Sequence, residues 1–179
     1  MEEKIRRQEK ILDTVGEWIR SADQKVSVFL AFEGVLLTIL IPNYSKTITD
    51  RFTTHVVSLL NGALIISAAI AFLIAVIGTL IAIFPRTSNK VKSHLYFGSI
   101  KAMTVTKYKR DMEAMTKENY FEELCEQVHT NAGIAIKKYF YFQTAILTFI
   151  IGLIFLIGSY THILARSATL AEVAPLYTV

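Results

Sequence analysis

A run of 29 residues without a charged side chain, residues 56–84, constrains this chain more than any other feature. Because a helix rises about 1.5 Å per residue, about 20 such residues are enough to cross the roughly 30 Å hydrocarbon core of a membrane. A helix that is apolar on every face is typical of a membrane span or of the core of a large protein. We therefore predict that residues 56–84 form a tilted transmembrane helix.

Two more stretches are apolar enough to span a membrane, residues 26–41 and residues 143–165. The first is sixteen residues long, contains Glu33 and is followed by Pro42 and Asn43, which predict a turn. It is slightly short for a crossing, but Lys25 can extend its side chain to the headgroups. The overall composition, 53% hydrophobic and 19% charged, also favours a membrane protein.

The basic residues are distributed unevenly around these spans. Lysine and arginine number 6 in residues 1–25, 2 in residues 42–55, 10 in residues 85–142 and 1 in residues 166–179. Basic segments remain on the cytoplasmic side of a membrane, so residues 1–25 and 85–142 are predicted to be cytoplasmic and the C-terminal tail to lie outside. This orientation accounts for the net charge of +4 without nucleic-acid binding.

The two basic segments are predicted to be helical. Residues 1–25 form an amphipathic helix whose apolar face comprises Ile5, Ile11, Leu12, Val15, Trp18, Ile19 and Ala22. In residues 85–142, a helix begins after Thr116 and continues unbroken into the third span. The predicted fold is all-α: an integral membrane bundle with a cytoplasmic helical module continuous with its last helix.

Several residues in the first two spans are candidates for packing or gating. Small side chains recur at every fourth position of the second span, and a charged residue inside a membrane is costly and usually functional. The candidates are Glu33 with Asn61 as its partner, and Ala63, Ser67, Ala71 and Ala75. Ordinary helix packing and a contact between subunits are both compatible with the small residues.

The sequence contains no motif that indicates catalysis. It has no glycine-rich phosphate loop, no nucleophile elbow and no metal-ligand spacing among its four histidines. Its single cysteine, Cys125, excludes an intramolecular disulfide. We therefore expect neither an enzyme nor a bound metal or cofactor.

Three short segments together resemble the Pycsar transmembrane effectors: residues 22–25 (ADQK), 95–99 (LYFGS) and 136–140 (IKKYF). The resemblance extends over roughly residues 18–157. It implies a bacterial antiphage effector that responds to a cyclic pyrimidine nucleotide, cyclic CMP or cyclic UMP, made by a partner cyclase. Such an effector impairs the inner membrane and causes abortive infection.

The resemblance does not identify the residues that contact the ligand. Residues 85–142 lack the strand alternation of a classical cyclic-nucleotide domain, so a nucleotide would bind between helices, across subunits of a homo-oligomer. From charge and position we assign the nucleotide site to Tyr96, Lys107, Tyr108, Arg110, Lys137 and Lys138. The same cations are also explained as topology determinants.

Two other functions are compatible with the sequence. A small structural or regulatory subunit of a larger complex would use the amphipathic helix and the small residues for docking. A holin-like protein would damage the membrane without a ligand, and Glu33 would then be central to its action.

Overall fold

The computed structural model of the protein describes residues 1–52, 59–84 and 93–173. These residues form helices and no strands, which confirms the all-α prediction. The helices are α1 (Glu2–Phe52), α2 (Leu59–Ile83), α3 (Phe97–Ala102), α4 (Val105–Glu113) and α5 (Lys117–Val173). The start of the second span at residues 56–58, the helix stop at Pro85 and the end of the tail lie outside the described residues.

Three of the helices, α1, α2 and α5, are long and apolar enough to cross a membrane, as predicted. The predicted continuous helix is α5, whose 57 residues extend over roughly 85 Å. Its start is capped by Thr116, whose hydroxyl accepts a hydrogen bond of 3.2 Å from the Asn119 N–H. The Thr116 carbonyl accepts a second bond, of 3.0 Å, from the Tyr120 N–H.

The predicted turn at Pro42 and Asn43 is wrong, because α1 continues through Pro42 to Phe52. Proline removes one N–H from the helical ladder. Around this gap, the Thr38 hydroxyl donates to the Gly34 carbonyl at 2.7 Å and the Ser45 hydroxyl donates to the Pro42 carbonyl at 3.0 Å. Serine and threonine hydroxyls that bond to backbone carbonyls near a proline help an apolar helix to tolerate the missing N–H.

The contacts divide the chain into two compact units. Unit 1 comprises Met1–Val26 and Ala82–Phe140, and unit 2 comprises Ser27–Ile81 and Tyr141–Val179. Helices α1, α2 and α5 contribute residues to both units.

In unit 1, α1 and α5 run in the same direction. Glu2 pairs with Lys117 and Asp23 with Lys138, and in each pair the two residue numbers differ by 115. Between them, the Tyr120 hydroxyl donates to Glu9 at 3.0 Å. The differences of 115, 111 and 115 stay nearly constant along the pair, as they do when two helices run parallel.

The buried face of α1 in unit 1 differs from the predicted one. Ile11 and Trp18 point outward, with 39% and 54% of their surface exposed. The face turned inward has steps of three and four residues, the heptad pattern of coiled coils, and comprises Ile5, Gln8, Leu12, Val15, Ile19, Ala22 and Val26. Ile11 and Trp18 each precede a residue of this face, Leu12 and Ile19, and therefore lie about 100° around the helix from it.

In unit 2, aromatic rings and small residues form the core. Phe149 lies 5.6 Å from Phe29 and 5.2 Å from Phe72, measured between ring centroids. A Cβ on Gly152 would lie 2.7 Å from the Phe72 ring, so only glycine leaves room for this ring. The core of unit 2 is therefore built from large rings that pack against positions with almost no side chain.

The small residues of α2 lie on its inner face only in part. Ala71 and Ala75 are buried, Ser67 is half-buried, and Ala63 is exposed. Residues four apart are about 400° apart around a helix, so a row of small residues at every fourth position moves gradually around α2. The row therefore leaves the packed face toward the start of α2. Within this chain, the prediction of close helix packing applies to Ala71 and Ala75.

The inward face of α1, called the heptad seam below, can be tested by mutation. Val15→Asp places a carboxylate where only 3% of the side chain is exposed, and should lower the free energy of unfolding by about 3 kcal/mol. The control, Trp18→Asp on the outer side, should change it by less than about 1 kcal/mol. Unfolding of both variants in detergent, followed by circular dichroism, measures the difference. Equal destabilisation would contradict the seam.

Candidate functional site

A polar cluster in unit 1, formed by Ser93, His94, Asp111 and Glu123, joins the segment before α3 to α4 and α5. The Ser93 hydroxyl and the His94 N–H donate to Glu123 Oε2 at 3.0 and 2.8 Å. His94 Nδ1 lies 2.6 Å from Glu123 Oε1, and its Nε2 lies 3.7 Å from Asp111 Oδ2. This cluster was not predicted, because its members are separated by up to 30 residues in the sequence.

Asp111 also accepts hydrogen bonds from two of the basic residues assigned to the nucleotide site. Lys107 Nζ donates to Asp111 Oδ2 at 2.8 Å, and Arg110 donates to Asp111 Oδ1 at 3.4 Å. The side chains of Lys107 and Arg110 are nevertheless 53% and 74% exposed. Both cations therefore have a carboxylate partner and remain accessible from solvent.

Both carboxylates of the polar cluster are held in their charged form. Burial pushes the pKa of Glu123 upward, but hydrogen bonds from the His94 ring, the His94 N–H and the Ser93 hydroxyl outweigh burial, so the pKa of Glu123 is lowered. The pKa of Asp111 is lowered mainly by the hydrogen bond from Lys107. The cluster is therefore anionic at neutral pH and attracts cationic donors.

Tyr96 occupies the position before α3, where its ring is confined by its neighbours. A Cβ on Gly98 would lie 2.6 Å from the Tyr96 ring, and the Phe97 ring centroid is 4.7 Å from that of Tyr96. The Tyr96 hydroxyl is buried and has no hydrogen-bond partner in the described part of the chain. The segment LYFGS thus leads from a turn into α3, and a side chain at position 98 would displace the Tyr96 ring.

A second polar contact in unit 1, the three-helix clip, consists of Lys138, Asp23 and the Ala82 carbonyl. The Lys138 ammonium donates to Asp23 Oδ1 at 2.5 Å and to the Ala82 carbonyl at 2.9 Å. Its side chain is only 5% exposed. Ala82 lies in the last turn of α2, where carbonyls lack helical partners and a cation is favoured.

The clip explains two of the segments that carry the family resemblance. ADQK supplies Asp23 and Lys25, and IKKYF supplies Lys138 and Tyr139. Besides the bond between Asp23 and Lys138, the Lys25 ammonium lies 5.8 Å from the centre of the Tyr139 ring. The two segments therefore meet through one buried ion pair and one cation–π contact.

The residues assigned to the nucleotide site do not form one surface. Glu123, which belongs to the polar cluster, and Lys138 are separated by 15 residues of α5, or about 22 Å along its axis. Lys138 is buried in the clip, whereas Lys137 is exposed. The structure thus separates the basic residues of α4 from those near the end of unit 1.

In unit 2, Glu33 and Asn61 are both fully buried, but they are not partners. Glu33 lies beside Thr79 of α2. Thr79 and Asn61 are 18 residues apart on the same helix, or about 27 Å. The predicted pairing of Glu33 with Asn61 is therefore wrong, and the reason is the antiparallel course of α2, which places its end rather than its start beside Glu33.

Comparison with known proteins gives one family and one relative. The pattern of the Pycsar effector protein domain, PycTM, matches residues 7–165. The chain is 24% identical over 149 residues to the Pycsar effector protein PtPycTM of Propioniciclava tarda, an overlap that covers 80% of this chain and 72% of the relative. No solved structure matches the chain.

The charge on Glu123 generates a pH-dependent prediction. Because its pKa is lower in the folded state, Glu123 stabilises the fold above its unfolded pKa of about 4.5, and this contribution is lost as the pH falls through the folded value. At pH 7, Glu123→Gln should cost about 1–3 kcal/mol, and the pH dependence should flatten. The control is Glu122→Gln on the exposed side. The free energy of unfolding is measured for both variants from pH 7 down to below the unfolded pKa of Glu123. A Glu123→Gln variant with the same values as the parent protein over this pH range would contradict the hydrogen bonds of the polar cluster.

The clip is tested by a double-mutant cycle. Asp23→Asn removes the counter-charge of a buried ammonium, and should destabilise the protein by about 1–3 kcal/mol, because the Asp23 side chain is itself 44% exposed. In a Lys138→Met background the same change should cost much less. Asp13→Asn, on the exposed face of α1, is the matched control. Additive effects of the two changes would show that the pair is not coupled.

Proposed function

The chain belongs to the Pycsar effector family, whose members are antiphage defence effectors that respond to cyclic nucleotides, and on that basis we propose a specific signal and a specific action. The signal is cyclic CMP or cyclic UMP from a partner cyclase. The action is damage to the bacterial inner membrane, which ends the infection together with the infected cell.

The observation that carries the proposal is the extent of the family match. Residues 7–165 include the polar cluster, the clip and the apolar parts of all three long helices. We take the polar cluster and the basic residues of α4 as the sensor, and both lie, together with the apolar parts of the long helices, within the residues that the family model matches. No chemical step is needed in this proposal, because the protein acts as a ligand-controlled membrane component without a cofactor of its own.

The structure favours α4 over the end of unit 1 as the place where the ligand phosphate binds. Lys107 and Arg110 are exposed and point to a common carboxylate, so an anionic cyclic phosphate can replace Asp111 as their partner. Tyr108 lies between them in sequence and is half-buried. Lys137 stays a predicted contact, whereas Lys138 is reassigned to the clip. A second subunit of a homo-oligomer would complete the site.

Binding acts on the membrane region through a population shift. A ligand moves an equilibrium only as far as its affinities for the two states differ. Replacement of Asp111 by the ligand phosphate would change the partners of Lys107 and Arg110. The clip, about 22 Å farther along α5 than the polar cluster, is the ionic contact that joins α1, α2 and α5 in unit 1. We propose that, in the active state, Lys107 and Arg110 have exchanged Asp111 for the ligand phosphate and the contacts of the clip have been exchanged for others.

The helix directions support a cytoplasmic N-terminus. In unit 1, α1 and α5 run in the same direction, so the basic N-terminal residues and the basic start of α5 lie at the same end of this helix pair. With α2 as the returning helix, three crossings place residues 1–25 and 85–142 on one side. The distribution of lysine and arginine assigns that side to the cytoplasm.

Reconstituted vesicles test the proposal. Full-length protein in vesicles loaded with a fluorescent dye should release the dye on addition of cyclic CMP or cyclic UMP, and not with cyclic AMP. The double variant Lys107→Met with Arg110→Met should need at least tenfold more nucleotide, because both phosphate partners are lost. Lys109→Met, on the same helix and 3.8 Å from Glu113, is the matched control.

Two further measurements separate sensing from membrane damage. Glu33→Gln should bind nucleotide like the parent in calorimetry and release dye at an altered rate, since Glu33 is the buried carboxyl of unit 2. Absence of binding for both pyrimidine nucleotides would overturn the sensing step. Dye release of equal rate without any nucleotide would instead favour the ligand-independent lesion.

A further inference from the structure

Unit 2 contains an apolar groove between α1 and α2, with a volume of about 450 Å³. We propose that this hairpin groove holds one acyl chain of a membrane phospholipid. The inference rests on the membrane placement made in the proposed function and does not depend on nucleotide sensing. Its lining includes Leu37, Ile41 and Ser45 of α1, Ala69 and Leu73 of α2, and Leu156 of α5.

The chemistry of the groove matches a lipid tail. Among the residues that the structure describes, the lining has no charged side chain, and Ser45 is its only residue with a polar side chain. Ser45 is the last lining residue on α1, so the hydroxyl lies at one end of the groove and hydrocarbon lines the rest. A phospholipid has the same polarity gradient, with an ester and a headgroup at one end of an apolar chain.

The length of the groove matches one leaflet. Its lining extends over eleven residue steps on α2, from Ile65 to Val76, and over eight steps on α1, from Leu37 to Ser45. At 1.5 Å per step these are about 16 Å and about 12 Å. Half of the roughly 30 Å hydrocarbon core is about 15 Å. The groove therefore suits a tail that enters from the leaflet opposite the basic segments.

The walls of the groove show why a lipid is favoured over a second copy of the chain. Ala68 and Phe72 form a buried floor, while Ile41 and Leu73 at the walls are 62% and 61% exposed. The groove is thus open on the side that would face the hydrocarbon core of the membrane, and acyl chains are the main component of that core. A flexible chain fills an irregular apolar groove, whereas a helix presents side chains at fixed positions.

The test measures retained lipid without any nucleotide, so that it stays separate from the test of sensing. Ala69→Trp should fill the groove. Ala63→Trp is the matched control, because Ala63 is exposed on the same helix like Ala69 but lies outside the lining. Full-length protein is extracted in mild detergent, washed, and analysed by native mass spectrometry. The parent and the control should retain phospholipid, and Ala69→Trp should retain at least tenfold less.

A second measurement identifies which part of the lipid binds. Added phosphatidylglycerol with sixteen-carbon tails should raise the melting temperature of the parent, and the same headgroup with six-carbon tails should not. The melting temperature of Ala69→Trp should respond to neither. Equal lipid retention by Ala69→Trp and its control would overturn the proposal. So would efficient disulfide crosslinking between two chains carrying Ala69→Cys and Cys125→Ser, because a second copy would then occupy the groove.

Discussion

The parallel pairing of α1 with α5 is the constraint on which the described structure depends. In unit 1, the pair brings Glu2 to Lys117 and Asp23 to Lys138, and in unit 2 it brings Phe29 to Phe149. Two parallel helices require a returning segment, and α2 supplies it. Once this pairing exists, the positions left for small residues, for the buried lysine and for the ring of Phe72 follow from helix geometry.

The same pairing explains what the sequence could and could not predict. Charge-free runs and the positive-inside rule depend on composition alone, and they were sufficient for three apolar helices and the all-α fold. The buried face of α1 was harder to predict, because Trp18 is apolar and next to Ile19 in sequence but lies about 100° away from it around the helix and is exposed. Proline was read with the rules for water-soluble helices, and in an apolar segment those rules were wrong for Pro42.

Candidate site residues were harder to predict, because their partners are distant in sequence. The sequence predicts a role for the basic residues of α4 but not for Asp111, which binds two of them, or for Glu123, which binds His94. Carboxylates on a helix are usually exposed to solvent, so neither residue stands out in the sequence. Lys138 was predicted to bind a ligand, and in the structure it is buried and bonded to Asp23 and to the Ala82 carbonyl. A positive charge beside an apolar span carries no information in sequence about whether its partner comes from outside or from within the chain.

Pro42 gives α1 a mechanical property that a regular helix lacks. The missing N–H removes one rung from the backbone ladder, and a helix with a missing rung resists bending less at that point. Leu40, Ile41 and Ser45, which line the hairpin groove, lie directly on either side of it. A force applied at the hairpin groove would therefore bend α1 first at this position.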